Sequence, residues 1–348
     1  MTARKAPATL KEVAAAAGVS ISCVSVVMNG TRSGTRVSDK TRDLVIREAA
    51  RLGYRPNAIG RSLQRRRTQV LGFLSTSFGL DAGNAFLADL IGGMQVACRD
   101  RDLALLLFTL RDDASVEESL HRLTDGYVDG LIVLGSGDHP VAASLADTHL
   151  PLVSIVDPIP GTPFVRADDV EGGRMLAESL ARQGYEQILY RLPPYPVASV
   201  DDRLAAFRAT SERLGMTVTL GANIHADTTA EVDERELNWI ERHRGQRAAI
   251  VVWEDHTALA TLALLRDHGV SVPEELGLAG YNGIATGPWP SPPLTTVKAP
   301  WREVAYEAVE MLVQLIEGES TESGRVLPVH VMCGATTQSM PVREPVLA

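Results

Sequence analysis

Hydrophobic and polar positions follow two different rhythms along this chain. Up to Gly53 the apolar residues recur at helical spacing. Thr9 is placed to cap a first helix, its side-chain oxygen accepting from the free N–H groups of the first turn. Leu10, Val13, Ala14 and Ala17 then share one face, and Gly18 supplies a left-handed residue to end the helix. Ser20 caps a second helix running to about Met28. Its Val24, Val27 and Met28 point inward against the first helix, whereas Ile21, Ser22, Ser25, Val26 and Asn29 point outward. Ser38 caps a third helix through Leu52, with Leu44, Val45, Ala49 and Leu52 apolar, and Gly53 ends it. Two helices joined by a Gly-containing turn, with a third completing the core, make a helix-turn-helix unit. Small residues on the outward face of the second helix suit a rod that must enter a major groove. A generic helical hairpin would show the same periodicity.

From Val70 the rhythm changes to short apolar strands alternating with amphipathic helices. Strands are expected at 70–74, 103–108, 130–135, 152–156, 187–192, 248–253 and 276–282. Helices are expected over Phe86–Arg101, near Val116–Leu123, from Val170 to Gly184, over Asp202–Leu214, over Ala230–His243, and up to His268. This alternation predicts parallel sheets covered by helices. The pattern runs twice, and a final "LTTVKAPWREVAYEAVEMLVQLIEG" with a closing strand returns across both runs. The expected organisation is a head over 1–55, a linker over 56–67 and a body over 68–348. The body divides into one lobe of about 68–163 and 294–322 and another of about 164–290 and 325–340. Two doubly wound lobes place a ligand in a cleft at the carboxyl ends of their strands.

The connecting segment "GYRPNAIGRSLQRRRT" (53–68) has its own logic. Pro56 stops the preceding helix, and Asn57 caps a short one through Leu63 or Gln64 that carries Gly60 in its interior. So short a helix is marginal in water, and an interior Gly costs about 1 kcal/mol more. Arg61, Arg65, Arg66 and Arg67 supply phosphate contacts, and Leu63 among them suits a wedge between base steps in a minor groove. A flexible basic linker is the other reading of this segment.

Charge sharpens the picture. The net charge is −9, yet residues 1–67 hold 14 Lys/Arg against 4 Asp/Glu, a charge of +10. The rest of the chain holds 20 Lys/Arg against 39 Asp/Glu, a charge of −19. A basic head on an acidic body is the footprint of a head that meets a polyanion. The composition is otherwise that of a soluble protein able to bury a core, at 45% hydrophobic and 22% charged residues. The longest apolar run of note, Leu103–Leu110, is far below the roughly 20 residues that span a bilayer, and no secretory segment is apparent. Cys23, Cys98 and Cys333 form neither a metal spacing nor a disulfide framework, so a reducing cytoplasm is the expected compartment.

Residues 8–67 resemble the DNA-binding head of the lactose-repressor (LacI/GalR) family of bacterial transcription regulators, through "TLKEVAAAAGVSISCVS", "NG", "VSDKTRDLV" and "LGYRPNAIGRSL". The body resembles the same family, whose body has the fold of periplasmic sugar-binding proteins, through "VDGLIVLG", "RADDVEGGRMLAESLARQGY", "DDRLAAF", "VPEELGLAGYN" and "PPLTTVKAP". Together these cover nearly the whole chain. The resemblance implies base reading by Ile21 and Ser22, phosphate contacts by Thr9, Ser25, Asn29, Ser38, Thr41, Tyr54 and Asn57, and a wedge at Leu63. Leu10, Ser20, Cys23, Val26 and Gly60 complete the candidate DNA-facing set, with Arg32 and Arg36 in the loop Thr31–Arg36. That loop is about three residues longer than is usual in the family, and either adds backbone contacts or is mobile. Val26 stands where the family commonly has Arg. An Arg there bonds a guanine, whereas Val touches a thymine methyl or another apolar edge, so an altered half-site is expected.

In the body the resemblance implies an effector-contacting Arg203, whose planar fork suits hydroxyls or a carboxylate. Trp253–Asp255 stands where the family has an Asn-Asp pair, with Glu254 on the Asn position. Asn282 replaces the family's effector-binding Asp. An acid gained and an acid lost preserve the cleft's charge while rearranging its donors. Trp289 either stacks on a sugar ring or packs. Asp168 and Asp169 either bond effector hydroxyls or cap the helix that follows.

Enzyme chemistry has little to rest on. His139 in "GDHP" and Glu254–His256 lack the spacing of a metal motif. The Gly pairs 92–93 and 172–173 read as close-packing positions, and no cofactor site is legible. A transport-type binding protein would share the body's fold, but it would need an export signal and no basic head. A ligand-responsive DNA binder explains head, linker and body together: a homodimer on a near-palindromic operator, with a small-molecule effector, a sugar or sugar derivative, in the cleft. Whether effector releases DNA or promotes binding is open at this level. The chain ends at Ala348 without a leucine heptad, so a tetramerising tail is not expected.

Overall fold

The structure, a computed structural model, describes residues 8–29, 37–54, 67–76, 84–111, 113–194, 196–221, 232–284 and 292–338. The chain divides into two compact units, one of Met1–Gln69 with Gly126–Val128 and one of the remainder. The first unit contains α1 (Leu10–Ala17), α2 (Ile21–Asn29) and α3 (Asp39–Leu52). Each of the three starts just after a hydroxyl residue, Thr9, Ser20 or Ser38. Thr9 makes a full capping box with Glu12, donating its own N–H to Glu12 Oε2 at 2.7 Å and accepting from Glu12 N–H at 3.3 Å. Gly18, at φ 63°, donates its N–H to the Ala14 and Ala15 carbonyls and closes α1. Val13, Ala14, Ala17, Val24, Val27, Val45 and Ala49 form the head's core, with Leu10, Met28, Leu44, Leu52 and Tyr54 packed around it.

The second unit holds two six-stranded sheets. In chain order its elements are β1 (Val70–Ser75), α4 (Ala85–Asp100), β2 (Ala104–Phe108), α5 (Val116–Thr124), β3 (Gly130–Leu134), α6 (Pro140–Ala146), β4 (Leu152–Ile155) and β5 (Phe164–Ala167). Then come α7 (Asp169–Arg182), β6 (Gln187–Arg191), α8 (Ala198–Arg213), β7 (Thr217–Leu220), α9 (Glu234–His243), β8 (Ala248–Val252), α10 (Asp255–Asp267) and β9 (Gly277–Asn282). The chain closes with β10 (Thr295–Lys298), α11 (Trp301–Glu317), β11 (Gly324–Leu327) and β12 (His330–Met332). The first sheet has the order β11-β5-β4-β3-β1-β2 and the second β12-β10-β9-β8-β6-β7. All pairings are parallel except β10 with β12. The central strands are buried on both faces, as β3 and β8 are throughout, which is why they read as continuous apolar runs.

Three segments cross between the lobes, and they correct the lobe boundaries expected from sequence. β5, expected to open the second lobe at 164, pairs with β4 and β11 in the first sheet. β10, expected in the first lobe from 294, pairs with β9 in the second. β11, expected in the second lobe from 325, belongs to the first. Short apolar strands look alike in sequence, and long-range pairing alone decides which sheet they join. Helix α6 and strand β7 were absent from the sequence-based expectation, being only 7 and 4 residues long.

Each lobe is held by a tight helix pair. A Cβ on Gly93 of α4 would lie 2.2 Å from the Arg302 carbonyl of α11, and one on Gly173 of α7 would lie 2.2 Å from the Arg203 carbonyl of α8. Gly93, Gly172 and Gly173 are thus close-packing positions, whereas a Cβ on Gly92 would meet only the Arg302 guanidinium at 3.4 Å. Among the described residues no single helix is long and apolar enough to cross a membrane.

Candidate nucleic-acid interface and interlobe cleft

In the head, α1 and α2 are bent 107° from one another, within the range of helix-turn-helix units. Ser20 Oγ accepts from the Cys23 N–H at 3.2 Å and so caps α2. It also shares a 2.9 Å hydrogen bond with Ser22 Oγ. Val24 and Val27 are buried and Met28 packs beside them. Ile21 and Ser22 are exposed, and Cys23, Ser25 and Val26 are half-buried. Ser38 Oγ accepts from the Thr41 N–H at 3.3 Å and pairs with Thr41 Oγ1 at 2.9 Å. Thr9, Leu10 and Ser38–Thr41 therefore lie at helix starts, where N–H groups favour a phosphate. Tyr54 is half-buried against the head core. The Asn29 side chain and Arg32, Arg36, Asn57, Gly60 and Leu63, with the expected linker helix, lie outside the described residues.

In the body, the carboxyl ends of the strands gather a network of charges. Arg203, on α8, is 3% exposed. Its Nε donates to Asp169 Oδ1 at 2.8 Å, its Nη1 donates to the Trp253 carbonyl at 2.8 Å, and its guanidinium lies 3.6 Å from the Tyr281 ring centroid. Burial pushes the Asp169 carboxyl up from its ordinary range, against the pull of Arg203. Burial alone would lower Arg203, but Asp169, Tyr281 and Tyr190 together outweigh that and hold it above its usual value. The same dry surroundings push Tyr190 up to about 12.

Two contacts join the lobes at the start of α8. Asp157, just past β4 of the first sheet, accepts from the Ser199 N–H at 2.8 Å. Arg166, on β5 of the same sheet, donates through Nη1 to Asp202 Oδ2 at 2.9 Å. Val197, the residue preceding α8, offers no side-chain cap, so Asp157 caps this helix from the other lobe. Burial raises the Asp157 carboxyl, opposed by the Ser199 N–H. The backbone that aims it is strained: Val156, a β-branched residue, sits at φ 70°. Asn282, at the end of β9, sits at φ 109°. Such outliers cluster at ligand clamps and switch regions.

Comparison with known proteins decides what this assembly belongs to. The profile of "Bacterial regulatory proteins, lacI family" matches residues 9–57, and that of "Periplasmic binding protein-like domain" matches 177–337. The chain is 30% identical to the HTH-type transcriptional regulator CelR of Thermobifida fusca over 95% of this chain and 98% of that one. It is also 30% identical to the HTH-type transcriptional repressor PurR of Photobacterium profundum, over 90% of this chain and 94% of that one. The chain belongs to the lacI family of bacterial regulatory proteins. Among solved structures, a CelR–cellobiose complex superposes with a TM-score of 0.68 at 29% identity, covering 94% of this chain and 99% of that one. A Lac repressor dimer bound to operator and an anti-inducer shares the fold, with a TM-score of 0.80 at 23% identity over 96% of this chain and all of that one. The family is one of DNA-binding transcription regulators, not of enzymes.

Set within this lacI-family frame, the cleft residues expected from sequence divide sharply. Asp168 caps α7, accepting from the Glu171 N–H at 3.0 Å. Asp169 does not cap: fully buried, it pairs with Arg203. Glu254 caps α10, accepting from the His256 N–H at 2.7 Å and from Thr257. Asp255 is 0% exposed, accepting from Thr296 Oγ1 at 2.6 Å and from the Ile284 N–H at 2.9 Å. Of the two readings of the Asp168–Asp169 pair, capping holds for Asp168 and not for Asp169, whose buried Oδ2 has no hydrogen-bond partner among the described residues. Trp253 packs its ring on the second core cluster and lends Arg203 its carbonyl. Trp289 lies outside the described residues. His139 accepts from the Val141 N–H through Nδ1 at 3.3 Å and so caps α6, and no metal-holding group of His, Cys, Asp or Glu occurs among the described residues.

Sequence reasoning missed Asp157, Arg166, Ser199 and Asp202 at the lobe junction, and the buried pair of Arg191 with Glu236, whose Nε to Oε1 distance is 3.2 Å. It also missed Thr76, whose buried Oγ1 has no hydrogen-bond partner among the described residues. An Arg or Asp inside or just past an apolar strand was the available signal, since such charges are rarely buried unless paired.

Proposed function

We propose that the protein is a homodimeric operator-binding repressor of the cytoplasm, controlled by a small-molecule effector held between its two lobes. The observation that carries this reading is the head: two helices bent 107° apart, with an outward face of small uncharged residues, inside a segment of charge +10. One helix-turn-helix makes too few contacts for specific binding, and two-fold symmetry doubles them. The edge strand β2 leaves Leu106 and Leu107 38% and 42% exposed, an apolar edge that a second copy would cover. The dimeric Lac repressor on its operator, which shares this fold, supports the same arrangement. Asn57, Gly60, Leu63 and the neighbouring arginines are further DNA contacts in this reading, with Leu63 as a minor-groove wedge.

The effector is a sugar or sugar derivative, a reading supported by the family member solved with cellobiose. Thr76 Oγ1, which has no hydrogen-bond partner among the described residues, Asn282 and Arg203 are the polar groups offered to it. An effector that changes the angle between the lobes acts on the Asp157 cap and the Arg166–Asp202 pair, and through them on the linker spacing. Effector and operator are then reciprocally coupled, typically by about 1–3 kcal/mol. The test is binding of the full-length protein to a duplex selected from a random library, as a function of salt. The log–log slope should approach −0.9 for each phosphate contacted, hence be steeper than about −4 for a dimer. A flat salt dependence, or indifference to duplex sequence, overturns the reading.

A further inference from the structure

Helix α2 has a composition that restricts what it can read. Ile21–Asn29 includes no Lys, Arg, Asp or Glu. It therefore forms neither the guanidinium–guanine pair nor the carboxylate–cytosine contact of hydrogen-bonded readout. The hydroxyls at its start are engaged within the protein, Ser20 with the Cys23 N–H and with Ser22. Beside the hydroxyls of Ser22 and Ser25, the larger side chains it turns outward among the described ones are aliphatic. Ile21 is 49% exposed, and Val26 is half-buried on the other side of Ser22. At helical pitch the two lie roughly 140° apart, so they bracket the outward face. Aliphatic side chains set against a major groove find one apolar feature there, the methyl group on C5 of thymine.

We propose that Ile21 and Val26 read pyrimidine C5-methyl groups on the two flanks of each half-site, so that sequence preference rests on methyl contacts rather than on bidentate hydrogen bonds. This deepens the operator-binding reading and rests on it. The same recognition makes 5-methylcytosine a partial substitute for thymine at those steps.

The experiment uses the full-length protein and a duplex selected from a random library. Each thymine of one half-site is replaced in turn by uracil, which removes only the methyl. Burying one methyl is worth about a three- to fivefold change in affinity, and that loss is expected at steps on two flanks of the half-site. At those steps 5-methylcytosine should bind better than cytosine. Ile21→Ala should abolish uracil sensitivity at one flank and Val26→Ala at the other. Position 21 is exposed, so folding is not at stake there, and retained low-salt binding to random duplex checks both variants. Uracil scanning that stays within twofold everywhere overturns the proposal while leaving operator binding intact. Sensitivity that persists unchanged in both variants also overturns it. Failure to select any duplex overturns the operator-binding reading and this proposal together.

Discussion

The helices of the head and helix α8 of the body begin in opposite ways. In the head, Thr9, Ser20 and Ser38 each accept from an N–H three residues further on. All that is needed lies within one turn, so each helix start is set by its own segment. In the body, α8 follows Val197, which cannot cap, and its Ser199 N–H is satisfied by Asp157, 42 residues earlier and on the other sheet. An orphan N–H at a helix start must find an acceptor somewhere. Supplying it from the opposite lobe makes the first turn of α8 dependent on how the lobes stand. Local caps suit a unit that must keep its shape on DNA; a borrowed cap suits a joint that must report on a ligand.

This contrast can be broken at several points. The largest effect should come from Asp169→Ala, which leaves the Arg203 charge buried without its carboxylate. Such a loss costs about 3–5 kcal/mol, and chemical denaturation should place it entirely in the body's transition. Next, Ser38→Ala removes a local cap at about 1 kcal/mol. It should lower the melting of the head and leave the body's transition in place. Asp157→Ala should cost a similar amount, about 1 kcal/mol, with a different signature. Amide exchange should quicken at Ser199 and Val200 but not at the start of α7, whose cap Asp168 is local, and effector affinity should shift with it. Unchanged exchange at Ser199 would show that the borrowed cap contributes nothing. The smallest effect belongs to Arg166→Gln, because the pair with Asp202 is partly exposed and such pairs are worth about 0.2–1 kcal/mol. It should alter effector response more than thermal stability.

The same contrast explains what could be read in advance. Thr9, Gly18, Ser20, Ser38 and Gly53 marked the head's helices, and the structure starts and ends them there. In the body, continuous apolar runs such as Gly130–Leu134 and Ala248–Val252 announced buried parallel strands. By contrast, α8 was expected from Asp202 and begins at Ala198, because its cap is distant. Arg203 was marked through a resemblance, yet its partners Asp169, Trp253 and Tyr281 come from three other elements. Glu254 and Asp255 were likewise marked through the resemblance, and the bonds both make within the protein could not be read from it.

Sequence by itself determined the head's helices, the uncharged face of α2, the charge contrast between head and body, and the α/β class of the body. Each depends on residues a few positions apart or on simple counts. Tertiary structure alone decided which sheet β5, β10 and β11 join, which carboxylates are consumed by helix starts, and that Asp157 and Arg166 hold α8 across the cleft. Those outcomes depend on pairings between residues tens of positions apart. A buried charge or N–H takes whichever partner folding brings near, and the local pattern carries no record of that choice.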